Sequence, residues 1–210
     1  MNSEGIENII FDLGNTLVYY DFGYFYDRIE HLEKKLNPSK LKKFIHQKKL
    51  DMRLFRGSVK PKDFFGILKR KFDLKIGYED FKYIYSDIFW VNSQMKTFLE
   101  KISRIKKYKL FLLSNTDTLH INFIDKNFPY VRLLKKRVLS FKIGLIKPQK
   151  AIFKYTLQKY NLNPGKTLII DDLKDNIISA SSLGIKTIHY KNHRKFIKQF
   201  SALAKDAKAK

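Results

Sequence analysis

The sequence predicts an α/β fold with a parallel sheet at its centre and a helical region inserted between the first two strands. Three observations carry this reading. Four short β-rich runs, Asn8 to Phe11, Lys109 to Leu113, Thr167 to Ile170 and Lys186 to Tyr190, are each followed by loop or helical sequence, the alternation expected of a sheet wound with helices. Three of those runs end in polar residues: Asp12, then Ser114-Asn115, then Asp171-Asp172. In an open parallel sheet such positions share the carboxyl edge, where these folds build their sites. Finally, almost a hundred residues separate the first run from the second, far more than one crossover helix requires.

The elements follow in order. Ile9-Ile10-Phe11 leads into Asp12-Leu13-Gly14-Asn15-Thr16, an acid on a glycine turn that by itself reads equally as an ordinary Asx turn. Between Asp21 and Val91 apolar positions recur at helical spacing, as in Phe22-Phe25-Tyr26-Ile29, Leu41-Phe44-Ile45 and Phe64-Phe65-Leu68. Breaks fall at Asn37-Pro38-Ser39, Arg56-Gly57-Ser58 and Lys75-Ile76-Gly77. Residues 21–91 are therefore read as a helical cap, and 1–20 with 92–210 as the core domain. The aromatic residues of that stretch (Phe22, Tyr26, Phe64, Phe65, Phe81, Tyr85, Phe89, Trp90) are read as the cap's own core rather than a ligand platform.

The second strand ends in Leu112-Leu113-Ser114-Asn115-Thr116, with a hydroxyl at its tip. Gly144-Leu145-Ile146-Lys147-Pro148 then sets a lysine ahead of a helical run. After Ile169-Ile170-Asp171-Asp172 the sequence reads as a helix to Leu183, with Gly184 as its stop. Asp175 and Asn176 near its start read as capping and supporting residues. Lys205 to Lys210 reads as a solvated helix end.

Composition narrows the chemistry. The chain has no cysteine, which excludes disulfides, a thiolate zinc site and a cysteine nucleophile. Oxygen and nitrogen groups must do the work. No apolar stretch approaches the roughly 20 residues of a membrane span, and Met1 to Glu7 lacks the basic start of a signal peptide, so a cytoplasmic protein is expected. The net charge is +23, yet only eight of 43 basic residues are arginine, the side chain that dedicated phosphate readers favour. Lysines occur in every segment, so the charge reads as compositional bias rather than a nucleic-acid surface, while still drawing small phosphate esters toward the protein.

An acid, a serine, a lysine-proline and a paired acid in this order resemble the four motifs of the haloacid dehalogenase (HAD) superfamily, over nearly all of the chain. Asp12-Leu13-Gly14-Asn15, with Ser114-Asn115-Thr116 and Leu119-His120, is similar to bacterial phosphatases that act on sugar phosphates such as α-D-glucose 1-phosphate. The resemblance implies a Rossmann-like core with a C1-type helical cap, and hydrolysis of a small phosphorylated metabolite through an aspartyl-phosphate. It implies Asp12 as nucleophile, Ser114 and the Asn115 amide orienting the phosphoryl oxygens, and Lys147 neutralising them. It also implies Mg2+ held by Asp12, the Gly14 carbonyl and Asp172, with Asp171 either as a further ligand or supporting the ligands from behind. The physical logic agrees, because a carboxylate attacking a phosphate dianion meets like-charge repulsion unless cations hold the charge. His120 is within reach of such a site from the helix after Ser114, or is simply a packed side chain.

One position departs from the pattern. Most phosphatases of the superfamily carry a second aspartate where this chain has Gly14. That residue protonates the leaving alcohol, and losing such a group typically costs about 10²–10⁴-fold in rate. Glycine would also permit a backbone angle closed to other residues. Asp21, at the cap hinge, is the nearest acid in sequence, and an anomeric leaving group would need less help than an ordinary alcohol. Two alternatives stand beside the phosphatase: a metal-free 2-haloacid dehalogenase, against which the paired acids argue, and a catalytically weakened HAD-like binding module with a basic surface.

Overall fold

The computed structural model describes residues 5–205; the first four residues, and the basic tail beyond Lys205, lie outside them. In chain order the strands are β1 (Asn8–Phe11), β2 (Val18–Tyr20), β3 (Phe89–Val91), β4 (Lys109–Ser114), β5 (Lys136–Leu139), β6 (Thr167–Asp171) and β7 (Lys186–His189). Five of them form a parallel sheet in the order β5-β4-β1-β6-β7. The helices α1 (Gly23–Leu32), α2 (Pro38–Gln47), α3 (Leu50–Phe55), α4 (Pro61–Phe72) and α5 (Tyr78–Ser86) all fall between β2 and β3. The core helices are α6 (Ser93–Ile102), α7 (Thr118–Asn127), α8 (Ser140–Ile143), α9 (Lys150–Tyr160), α10 (Lys174–Ser181) and α11 (His193–Lys205).

The central strand shows why the sheet forms. All four residues of β1 are buried, and they alternate: Ile9 and Phe11 enter the core on one face with Met95, Leu99 and Phe196, while Ile10 enters the other with Ile152, Phe153 and Ala180. A strand covered on both faces is expected to be continuously apolar, which is what made β1 and β6 visible in the sequence. The edge strand β5 was missed, because its first two residues are Lys136 and Arg137 and only Val138 and Leu139 are buried. The short antiparallel pair β2–β3 was missed as well; it aligns Tyr19 with Trp90 and Tyr20 with Phe89 and carries the chain into and out of the helical cap.

The cap has its own core. Phe25, Phe64 and Phe81 are fully buried and pack with Ile29, Leu41 and Leu68, and burying one such side chain contributes roughly 1.5–3 kcal/mol. Phe65 and Tyr85 join them, and Phe22, Tyr26 and Phe89 lie at the margin. Trp90 corrects the expectation: it is 44% exposed and packs on Tyr19 and Tyr24 at the surface. Local signals set the helix starts. Asn37 accepts from the Lys40 N–H at 2.9 Å ahead of Pro38, and Asn92 accepts from the Met95 N–H, each satisfying an orphan donor of the first turn.

The cap meets the core closely at Gly57, between α3 and α4. Its φ is +70° and a Cβ there would lie 2.2 Å from the Phe141 carbonyl oxygen, so both backbone angle and space demand glycine. Among the described residues no helix is long and apolar enough to cross a membrane.

Candidate active site

Strand register brings distant residues together. Phe11 is level with Leu112 of β4 and Ile170 of β6, and the Asp12 N–H donates to the Ile170 carbonyl at 2.9 Å. Asp12 and Asp171 therefore leave adjacent strands side by side. Asp171 is the last residue of β6 rather than a turn residue, and Tyr190 has left β7, although its N–H still donates to the Asp171 carbonyl.

Lys147 joins the two strands chemically. Its Nζ donates to Asp12 Oδ1 at 2.5 Å and to Asp171 Oδ2 at 2.6 Å, and all three side chains are almost wholly buried. Asn115 fixes the lysine's main chain with a reciprocal bridge: its Oδ1 accepts from the Lys147 N–H at 2.8 Å and its Nδ2 donates to the Lys147 carbonyl at 2.9 Å. The loop carrying Asn115 is held in turn by Ser140, whose Oγ accepts from the Thr116 N–H and donates to the Thr116 carbonyl.

Asp171 is fully engaged. Besides Lys147, its Oδ1 accepts from the Leu173 N–H at 2.9 Å and from Asn176 Nδ2 at 2.8 Å. Asn176 thus supports the carboxylate instead of capping α10, while Asp175 stands exposed in the first turn. Asp172 is half-buried and faces the cavity.

Two carboxylates bond the lysine and a third, Asp172, stands nearby. Burial, then the charges of Asp171 and Asp172, raise the Asp12 carboxyl to about 7 against the opposing pull of Lys147. Burial and Asp171 likewise push Asp172 up, opposed by Lys147 and a hydrogen bond from Asn15. Burial works to lower the Lys147 ammonium, but Asp12 and Asp171 outweigh it and hold it above the ordinary lysine value. The site therefore carries surplus negative charge around a protonated lysine. Oxygens of Asp12, Asp171 and Asp172 all lie within 4.8 Å of one another, a hard-oxygen cluster able to hold a divalent cation.

These groups open onto a cavity of about 210 Å³ roofed by the cap, with Ser114, Asn115 and Gly14 on its floor and Tyr20, Phe22 and Phe55 above. His120 lies on its wall with both ring nitrogens engaged: Nε2 donates to the Tyr85 carbonyl at 3.0 Å, and Nδ1 is 2.7 Å from Asp117 Oδ2. Its ring stacks on Tyr85 at 4.6 Å. It ties α7 to the cap and does not reach for a ligand. Asp21 is absent from this cavity; its carboxylate accepts from the Gly23 N–H at 2.7 Å at the start of α1.

Gly14 is a second correction. Its backbone is not in the left-handed region, where Gly57, Gly144 and Gly184 are found. The constraint is space, since a Cβ at position 14 would lie 2.6 Å from Tyr20 Cε1. Tyr20 was not foreseen as a site residue, and no spacing in the sequence singled it out. Burial, then the charges of Asp172 and Asp12, push its hydroxyl above the ordinary phenol value, against the pull of Lys147.

The same arrangement of sheet and cap occurs in known proteins. The chain is 26% identical to a D-ribitol-5-phosphate phosphatase of Bacteroides thetaiotaomicron over 197 residues, covering 89% of this chain and 93% of that one. A HAD family enzyme of the same organism superposes with a TM-score of 0.83 at 23% identity, covering 94% of this chain and 99% of the other. The same enzyme solved as a complex with magnesium and inorganic phosphate gives a TM-score of 0.77 at 25% identity, over 89% and 95% of the two chains. The family model of haloacid dehalogenase-like hydrolases matches residues 6–184, and the chain belongs to that family.

Proposed function

We propose that this protein is a Mg2+-dependent phosphatase of small polyhydroxylated phosphate monoesters, sugar or sugar-alcohol phosphates, working through an aspartyl-phosphate on Asp12. The observation that carries the reading is Lys147 held between Asp12 and Asp171 beside a third acid, Asp172. A lone buried lysine stands against three acids; burial first, and the neighbouring acids after it, raise the Asp12 and Asp172 carboxyls. The donor set fits a hard cation. Asp12, the Gly14 carbonyl and Asp172 would hold Mg2+, with Asp171, whose oxygens are already hydrogen-bonded, supporting them; when bound, the ion offsets the charge of the phosphoryl oxygens.

The chain's own residues supply the rest. An Asp12 oxygen attacks phosphorus and the ester oxygen leaves, after which water releases inorganic phosphate from the carboxylate. Lys147, locked in place by Asn115 and Asp171, neutralises the phosphoryl group, and Ser114 with the Asn115 amide orients it. The cap, of the C1 type in this reading, supplies a second cavity of about 460 Å³ lined by Tyr26, Lys42, His46 and Asp51, donors and acceptors suited to a chain of hydroxyls. The similarity to a D-ribitol-5-phosphate phosphatase and to an enzyme that binds magnesium and inorganic phosphate supports the same class.

A panel of sugar 1-phosphates, sugar-alcohol phosphates and nucleotides, assayed in Mg2+ and in EDTA, tests this. Turnover is expected in Mg2+ only, with sugar or sugar-alcohol phosphates leading. EDTA-resistant chloride release from a 2-chloroacid would establish the dehalogenase alternative instead. Salt-dependent nucleic-acid binding without turnover of any ester would establish the binding module.

The metal reading makes a finer prediction. Asp172→Ala should weaken Mg2+ more than Asp171→Asn, because Asp171 already spends its oxygens on Lys147, Leu173 and Asn176. The readout is the rise in Tm with added Mg2+ at fixed pH. Equal Mg2+ response of native protein and Asp172→Ala would remove Asp172 from the metal site.

A further inference from the structure

The missing acid at position 14 leaves a specific question: which group meets the ester oxygen as it departs. The space a side chain at Gly14 would take is filled by the long edge of the Tyr20 ring, with Cε1 at 2.6 Å, Cδ1 at 3.0 Å and Cζ at 3.8 Å from the Cβ position. Its oxygen lies one bond beyond that edge. The ring is fixed from behind by Phe22, edge-on at 5.9 Å, and by Phe89 at 6.1 Å. Its strand partner is Phe89 as well, so the backbone of the cap linker sets the ring's position. Tyr20 lines both the cavity over Asp12 and the larger cavity in the cap, which places it where phosphoryl group and leaving group meet.

Other proton-bearing groups on the wall are committed. Both His120 nitrogens face the Tyr85 carbonyl and Asp117, and Lys147 is bonded to two carboxylates. Ser114 is assigned to the phosphoryl oxygens. Asp21 caps α1. Among the described residues none is hydrogen-bonded to the Tyr20 hydroxyl, while its ring packs on Phe22 and Phe89.

We propose that Tyr20 stands in for the absent second acid, its phenolic O–H donating a hydrogen bond to the ester oxygen of the substrate as that oxygen leaves. The proposal rests on the phosphatase reading. In the step, a bond forms between an Asp12 oxygen and phosphorus while the bond from phosphorus to the ester oxygen breaks. The departing oxygen keeps the electron pair, is held by the Tyr20 O–H, and takes its proton from water entering with the substrate. Gly14 and Tyr20 are then one device: the glycine exists to admit the ring.

The test compares 4-nitrophenyl phosphate, whose leaving group needs no stabilisation, with a primary alkyl ester such as ribitol 5-phosphate. Steady-state kcat/KM is measured in Mg2+ for native protein, Tyr20→Phe, Gly14→Asp and the double variant Gly14→Asp/Tyr20→Ala. Tyr20→Phe keeps the ring packing and should lower the alkyl-to-aryl ratio about 10- to 100-fold, the loss of one hydrogen bond to a developing charge. Gly14→Asp alone should bring no gain on the alkyl ester, because the ring blocks the new carboxyl. The double variant should recover alkyl turnover over Tyr20→Ala alone, which is measured beside it. An unchanged ratio in Tyr20→Phe, or a gain from Gly14→Asp with Tyr20 present, overturns the role of Tyr20 and leaves the phosphatase reading intact. Absence of turnover of both esters by the native protein sinks the phosphatase reading, and this proposal with it.

Discussion

Asp12→Asn is expected to lower turnover of every phosphate ester by about 10³-fold or more, while making the metal-free protein more stable at neutral pH. The first part follows from the nucleophilic role proposed for Asp12. The second follows from the burial of the Asp12 carboxylate, to which the charge of Asp171 adds. The folded Asp12 carboxyl titrates at about 7, whereas in the unfolded chain it titrates near about 4. Between those values the folded state holds a proton that the unfolded state has lost, so stability falls as pH rises from about 4 to about 7. Asparagine carries no charge to desolvate, and its side-chain oxygen can still accept from Lys147. At pH 8 in EDTA the variant should gain on the order of 1–4 kcal/mol, and the gain should vanish toward pH 4. Urea denaturation at both pH values measures it. A variant that loses fold and activity together would make Asp12 a structural turn residue.

Much of this site is legible in sequence, and the reason is the sheet. A parallel strand covered on both faces must be apolar along its length, so the point where the chain turns polar marks the carboxyl edge. Asp12, Ser114 and the Asp171-Asp172 pair are visible for that reason, and Lys147 through its place before Pro148. What stays hidden depends on separations no local pattern encodes. Lys147 bonds Asp12 across 135 positions and Asp171 across 24, and only the fold shows that the lysine belongs to both. Edge strand β5 hides because half of it is basic. Gly14 shows the limit most clearly. The sequence marks the missing acid but invites a backbone explanation, whereas the structure gives an ordinary φ and a tyrosine ring in the way. Tyr20 itself reads as one more aromatic in a strand, since its partnership with Gly14 is a matter of three-dimensional space.

Lys147→Met is expected to be the most destabilising single change at the site, and the loss should depend on both pH and metal. Methionine matches the length of the lysine stem but removes the cation that bridges Asp12 and Asp171. Breaking a buried pair from one side costs about 3–5 kcal/mol, because the charge left behind has neither water nor partner. Lys147 also lowers the Asp12 carboxyl, so without it that carboxyl rises further. The sign follows: protonating Asp12 relieves the uncompensated charge, so the deficit is largest above about pH 7 and shrinks as pH falls. Added Mg2+ supplies the missing positive charge to the same oxygens and should recover much of the stability. It should not restore turnover, which is expected to stay down about 10²–10³-fold, because no cation then meets the phosphoryl oxygens from the lysine's side. Guanidinium denaturation at pH 8 and pH 5, with and without Mg2+, run beside the phosphatase assay, separates the two roles. A pH-independent deficit that Mg2+ leaves untouched would show that Lys147 acts through packing alone.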